Sequence, residues 1–226
     1  MSRSLQRRAA GHAALGDPGR LAIVDELAAS DRSPRELSEA LDIPSNLLAH
    51  HLDVLERAGL ISRSVSAGDG RRKYVRLADD SFARVGRPVV RPRGELLFLC
   101  TQNSARSQLA AALWTARTGH CARSAGTRPA PKVHRGAVAA ARRAGISLDD
   151  AVPTGFDRVP AGAQVVTVCD LVHEELGPAA GWWHWSIPDP VTAGDARAFD
   201  AVVAELDRRI ARVTDTHTHD EGTTRS

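Results

Sequence analysis

LLFLCTQNSARSQLA, residues 96–110, decides the reading of the C-terminal half. The apolar run Leu96-Leu97-Phe98-Leu99 leads into Cys100, a polar turn follows, and Ser107 to Thr118 carries apolar residues at helical spacing. Cys100 and Arg106 are separated by five residues. That length lets the chain wrap so that successive backbone N–H groups of Thr101, Gln102, Asn103, Ser104, Ala105, Arg106 and Ser107 face one centre, a cradle for an oxyanion at a helix N-terminus. A cysteine at the base of such a cradle gains thiolate character and becomes the candidate nucleophile. Arg106 offers a fork that fits a tetrahedral oxyanion, Ser107 can donate to the sulfur, and Asn103 tolerates the left-handed backbone of a tight bend.

Working outward, strands are expected at Arg123 to Ala125 and at Gln164 to Cys169, and strands alternating with helices predict a parallel α/β sheet. Asp189, in WSIPDP, places a carboxylate on a rigid loop where it could protonate a leaving oxygen; alone, an Asp-Pro pair is a turn. Cys169 in VVTVCD admits two readings, a second reactive thiol or a small buried apolar residue. Trp182, Trp183 and Trp185 could wall a pocket or pack a core. Three cysteines without a CxxC pair exclude a disulfide scaffold, and neither a structural zinc nor any other metal site is expected; Cys121 has no reactive context.

The N-terminal part follows another pattern. Apolar residues recur at helical spacing from Leu5 to Leu60, with start signals at Asp17-Pro18, Ser33-Pro34 and Ser45-Asn46; Glu36, three residues after Ser33, completes a capping box. Beyond Gly59, Ile61, Arg63 and Val65 alternate and are answered by Tyr74, Arg76 and Leu77 across Ala67-Gly68-Asp69-Gly70, a hairpin signal. Three helices and a basic hairpin make a winged helix-turn-helix. Its recognition helix is expected over residues 45–57, burying Leu48, Leu52 and Leu55 and turning Ser45, Asn46, Ala49 and His50 toward DNA, with Arg63, Arg71, Arg72, Lys73 and Arg76 meeting phosphates. His51 is expected to pack against the helices.

With 226 residues and 42% hydrophobic content, two modest cores are expected. The boundaries are read as a DNA-binding domain over 1–80, a linker over 81–94 rich in Pro, Gly and Arg, an α/β domain over 95–214, and a flexible polar tail over 215–226. Residues 1–93 carry a net charge of +4 and the remainder −1, so the basic surplus sits beside the proposed DNA reader. No stretch is apolar enough for a membrane span and the N-terminus lacks the apolar core of a secretory signal, so a soluble cytoplasmic protein without membrane contact is expected.

Two family resemblances rest on these residues. ELSEALDIPSNLLAHHLDVLERAGLI, residues 36–61, with the hairpin, resembles the ArsR-type regulators over nearly all of residues 12 to 78. The resemblance implies a homodimer on a palindromic operator, released by an inducer. Arsenite-sensing members carry cysteines before the recognition helix; here Ser33, Pro34 and Arg35 stand in that region and no cysteine precedes Cys100, so that thiolate site is absent. The loop from Cys100 to Ser107, the Asp189-Pro190 pair and SAGTRPAPKVH at residues 124–134 resemble the low-molecular-weight tyrosine phosphatases and the arsenate reductases of the same three-layer α/β fold with a central parallel sheet, over roughly residues 94 to 213.

Within that group, phosphatases usually have proline after the Arg-Ser pair and aromatic residues after the Asp-Pro pair, whereas Gln108 and Val191 stand here. Both departures favour arsenate reduction, with Cys100, Arg106 and Asp189 catalytic and Cys169 the resolving thiol that the reductase resemblance implies. No bound cofactor is expected. Residues 170–182 hold no further cysteine, so regeneration is expected to need an external thiol: mycothiol, glutathione or a redoxin. The expected whole is a regulator of an arsenic-resistance operon joined to an arsenate reductase; a tyrosine phosphatase and a non-catalytic oxyanion-sensing repressor are the alternatives.

Overall fold

A computed structural model of the chain describes residues 3–78 and 90–214. The expected tail and most of the expected linker lie outside them.

The N-terminal region is built from α1 (Arg3–Leu15), α2 (Pro18–Glu26), α3 (Pro34–Leu41) and α4 (Ser45–Arg57), then the hairpin β1 (Ile61–Val65) and β2 (Lys73–Leu77). Local chemistry sets these starts. Asp17 caps α2 by accepting from the Arg20 N–H at 3.0 Å, ahead of Pro18, whose missing N–H costs nothing in the first turn. Ser33 and Glu36 form the reciprocal capping box of α3. The Ser45 cap expected for α4 is not observed. Pro44 occupies the cap position without a side-chain bond and Ser45 is the first helical residue, because proline pre-sets an extended entry.

Leu48, Leu52 and Leu55 point inward with Ile23, Val24, Leu37, Leu60, Ile61, Val75 and Leu77 in one apolar core. Each buried leucine contributes about 2 kcal/mol of transfer free energy. The hairpin pairs Ile61 with Leu77 and Val65 with Lys73, and Val75 exchanges backbone hydrogen bonds with Arg32, tying the wing to the segment before α3.

The second core belongs to a four-stranded parallel sheet of β3 (Leu96–Cys100), β4 (Ala122–Gly126), β5 (Gln164–Thr167) and β6 (Trp183–His184), in the order β4-β3-β5-β6. Every residue of β3 and β5 is buried, as central strands covered by helices require. The sheet carries α5 (Arg106–Thr118), α6 (Arg135–Arg143), α7 (Asp170–Leu176), α8 (Pro190–Ala193) and α9 (Ala196–Thr214). The expected strand through Cys169 stops at Thr167; Val168 and Cys169 bridge to α7, with Cys169 at its cap position. Among the described residues, no helix is long and apolar enough to cross a membrane.

The two regions share a buried polar seam. Arg209 of α9 holds Asp31 through both terminal guanidinium nitrogens, Asp31 also accepts from the Ser186 N–H at 2.9 Å, and Trp185 Nε1 donates to the Ala29 carbonyl at 2.9 Å. His173 Nε2 donates to Glu36 at 2.7 Å, and His173 stacks on His184 with ring centroids 4.1 Å apart. Trp183 and Trp185 are therefore buried core and seam, not pocket wall.

Candidate active site

The loop between β3 and α5 bends where Asn103 adopts a left-handed backbone, φ 48°, the conformation for which its short polar side chain is suited. The turn brings the Asn103 N–H to 3.2 Å from Cys100 Sγ and Ser107 Oγ to 2.9 Å from the same sulfur. Asn103 Nδ2 donates to Ser107 Oγ at 2.8 Å, which leaves the hydroxyl hydrogen free to point at the sulfur. Asn103 is held in turn. Its Oδ1 accepts from Gln108 Nε2 at 3.0 Å and from the Thr154 N–H at 2.8 Å. Gln108 thus supports the loop from beneath, a role that its sequence position alone did not disclose.

A cavity of about 140 Å³ opens over the sulfur, lined by Cys100, Thr101, Gln102, Ser104, Ala105, Arg106, Leu171, Asp189 and Val191. Asn103 and Ser107 lie beneath the cup and do not line it. Arg106, nearly buried, is clamped by Asp189 Oδ2 at 3.1 Å and the Ile187 carbonyl at 3.1 Å, so residues 83 positions apart meet at one rim. Asp189 Oδ1 caps α8 through the Val191 N–H at 3.0 Å. Leu171, the first turn of α7, is a wall residue that sequence reasoning missed; nothing in its local pattern separates it from a surface leucine.

Cys169 stands beside the cup rather than in it. The Val168 N–H donates to the Leu99 carbonyl at 2.8 Å, which carries the chain past the end of β5 alongside β3 and sets Cys169 against Thr101, the first residue of the nucleophile's loop. Cys169 Sγ lies 3.3 Å from Thr101 Oγ1 and is 1% exposed. Cys121 is exposed and outside the cavity. Among the described residues, no cluster of three or more His, Cys, Asp or Glu side chains could hold a metal ion.

The DNA-facing residues are placed unevenly. Ser45, Asn46, Ala49 and His50 are exposed on α4, whereas His51 is buried against Gly19 and Asp17. Arg71 and Lys73 are exposed and, with Arg72, line an open cleft of about 580 Å³ between the wing and α3. Two of the basic side chains expected to meet phosphates have carboxylate partners. Arg63 turns onto Asp53 at 2.7 Å and Glu56 at 3.5 Å, and Arg76 leans toward Glu205 of α9, because nearby carboxylates neutralise them.

Residues 95–221, more than half of the chain, match the family model described as low molecular weight phosphotyrosine protein phosphatase. The chain belongs to that family. Ahead of this phosphatase-family domain, residues 15–63 match a helix-turn-helix domain model. The HTH-type transcriptional repressor SmtB of Mycobacterium tuberculosis is 39% identical over 82 residues, 36% of this chain. The chain spans 58% of that curated relative's length. Among solved structures, an arsenate reductase from Archaeoglobus fulgidus is 27% identical, covering 53% of this phosphatase-family chain and 98% of its own, with a TM-score of 0.45. A thioredoxin-dependent arsenate reductase from Corynebacterium glutamicum is 26% identical, covering 58% and 63%, with a TM-score of 0.44.

Proposed function

We propose that this chain is a DNA-binding regulator fused to an arsenate reductase in which Cys100 attacks arsenate held in the 100–106 loop and Cys169 resolves the adduct. The observation that carries the reading is a second buried thiol, that of Cys169, held 3.3 Å from Thr101 Oγ1 on the residue next to the buried Cys100. A phosphatase needs only the first. The cup supports the same reading: about 140 Å³ bounded by short polar side chains, Leu171 and Val191, with no aromatic wall among the described residues, suits a free tetrahedral oxyanion better than an aryl ester.

In this mechanism the loop N–H groups and Arg106 bind the oxyanion, while Ser107 and the Asn103 N–H stabilise the sulfur as an anion. Asp189 at the rim supplies a proton to the departing oxygen. Cys169 then attacks Cys100, arsenite leaves, and a disulfide remains. An external thiol (mycothiol, glutathione or a redoxin) restores both cysteines.

The regulatory half is inferred to span residues 1–80 and the enzymatic half 95–214. DNA contact is assigned to Ser45, Asn46, Ala49 and His50 of α4 and to Arg63, Arg71, Arg72 and Lys73 of the wing, in a homodimer on a palindromic operator. The helix-turn-helix match and the printed role of the SmtB relative support it.

Hydrolysis of a phosphate ester is the second reading, favoured by Asp189 beside Arg106 and by the family's own description. One assay separates the two. Arsenite release that requires a thiol and disappears in Cys100→Ser supports reduction; turnover of an aryl phosphate without any thiol, and none of arsenate, refutes it.

A further inference from the structure

Three consecutive residues at the start of α7 face three different places. Cys169 presents its thiol to the loop of the nucleophile, Leu171 walls the oxyanion cup, and Asp170 between them reaches the wing of the helix-turn-helix region, where Oδ2 accepts from the Ala67 N–H at 2.7 Å. One turn further on the same helix face, Glu174 completes the grip. Its Oε2 accepts from the Asp69 N–H at 2.8 Å, and its Oε1 accepts from Ser66 Oγ at 2.7 Å and Tyr74 OH at 3.2 Å and lies 3.9 Å from Arg72. The wing tip, a hairpin that would otherwise present N–H groups and cations to DNA phosphates, is held by two carboxylates of the enzyme.

The fit is close. A Cβ on Gly68 would stand 2.6 Å from Glu174 Oε2 and 3.1 Å from the Leu171 backbone nitrogen, so any side chain there displaces the Glu174 carboxylate from the tip and crowds the start of α7.

We propose that α7 couples the two halves: oxidation of Cys100 and Cys169 to a disulfide draws Asp170 and Glu174 off the wing tip and frees it. The inference rests on the reading above that these two cysteines are oxidised together. In the step, Cys100 Sγ displaces water from arsenate and forms an S–As bond; Cys169 Sγ attacks Cys100 Sγ, and the S–As bond breaks with its electron pair on arsenic. Two thiols lose two electrons and As(V) leaves as As(III). A disulfide needs the sulfurs about 2.05 Å apart. Cys100 is fixed by a central strand and by its bonds to Ser107 and Asn103, whereas Cys169 sits in the bridge to α7, so the helix start is the part that moves. Bonds of 2.7 and 2.8 Å from residues one and five positions away are lost by small displacements.

Amide hydrogen exchange of the full chain tests this, with Val75, whose N–H donates to Arg32 within the N-terminal region, as internal reference. The disulfide is formed in one arm by arsenate and in another by diamide, which oxidises dithiols directly. Exchange at Ala67 and Asp69 is expected to quicken about tenfold on oxidation in either arm while Val75 holds. Gly68→Ala and Glu174→Ala are each expected to exchange at the faster rate in both redox states. Disulfide formed by diamide but not by arsenate, with the same quickening, refutes the reductase reading and leaves the coupling standing. A verified Cys100–Cys169 disulfide with unchanged Ala67 and Asp69, failure of both oxidants to form it, or slow exchange retained in both variants overturns the coupling.

Discussion

Replacing Asp31 by Ala removes the anion that compensates Arg209. Asp31 is 1% exposed and Arg209 4%, and besides the two guanidinium bonds Asp31 serves the Ser186 N–H. Deleting one member of such a pair leaves an uncompensated charge away from water and costs about 3–5 kcal/mol. Glu205 remains on Arg209 Nε at 2.7 Å, and its carboxyl, which burial alone would push up, is held below the ordinary range by Arg209 and Arg208. That residual partner places the cost near the lower end, about 3 kcal/mol. For a chain of this size the melting temperature falls about 2–4 °C per kcal/mol, giving a drop of about 6–12 °C. Arg209→Met alone strands Asp31 and costs a similar amount, whereas Asp31→Leu with Arg209→Met removes both charges and recovers most of the loss. Calorimetry or circular dichroism reads all three. A melting temperature for Asp31→Ala within about 2 °C of the parent, or a double variant as unstable as the sum of the singles, refutes the reasoning.

Ser107→Ala deletes the hydroxyl 2.9 Å from Cys100 Sγ; hydrogen bonds to charged groups contribute about 1.5–3 kcal/mol, so kcat/KM is expected to fall at least about tenfold with the fold intact, measured by arsenite release and by melting. Gly126→Ala puts a Cβ 2.7 Å from the Thr101 carbonyl and 2.8 Å from the Asn103 nitrogen, both backbone atoms, so alkylation of Cys100 and turnover are both expected to collapse, and unchanged kinetics would contradict the placement of the loop. Burial holds His184 below the ordinary imidazole range, and His173 adds to that, against Asp170 and Asp31. A base depressed in the fold leaves the unfolded chain binding more protons below its ordinary value, so stability is full above about pH 6.5 and declines as pH falls below it. Glu36 acts lower: burial opposes its ionisation, but His173 and Ser33 hold its carboxyl at about 2, so its contribution is present above about 4.5 and is lost between there and 2. Melting temperature should decline from pH 7 to pH 5 with a shallower slope in His184→Gln.

How far the sequence reaches is visible in particular residues. The β3-loop-α5 unit, the left-handed Asn103, the capping box at Ser33 and the inward Leu48, Leu52 and Leu55 are set by local spacing, and all are found. Asp189 beside Arg106 is a long-range meeting that the motif suggested and the sheet order brings about. What spacing could not reveal is the seam. The partners of Glu36, Asp31 and Glu174 lie 137, 178 and 100 or more positions away, and each reads locally as a solvated carboxylate. The partners of Arg63 and Arg76, Asp53 and Glu205, were out of reach for the same reason: a cation's partner is a tertiary fact. Trp185 is close in sequence to Asp189 yet packs on Phe98 and donates to the Ala29 carbonyl, because a short β6 directs the chain across the seam first.

The central claim is tested most directly by a single turnover without external reductant. Fully reduced protein mixed with excess arsenate is expected to release one arsenite per chain and to lose the two thiols of Cys100 and Cys169, with Cys121 still titratable; Cys169→Ser should release none. Hydrolysis of a phosphate ester with every thiol retained and no arsenite formed would contradict the account.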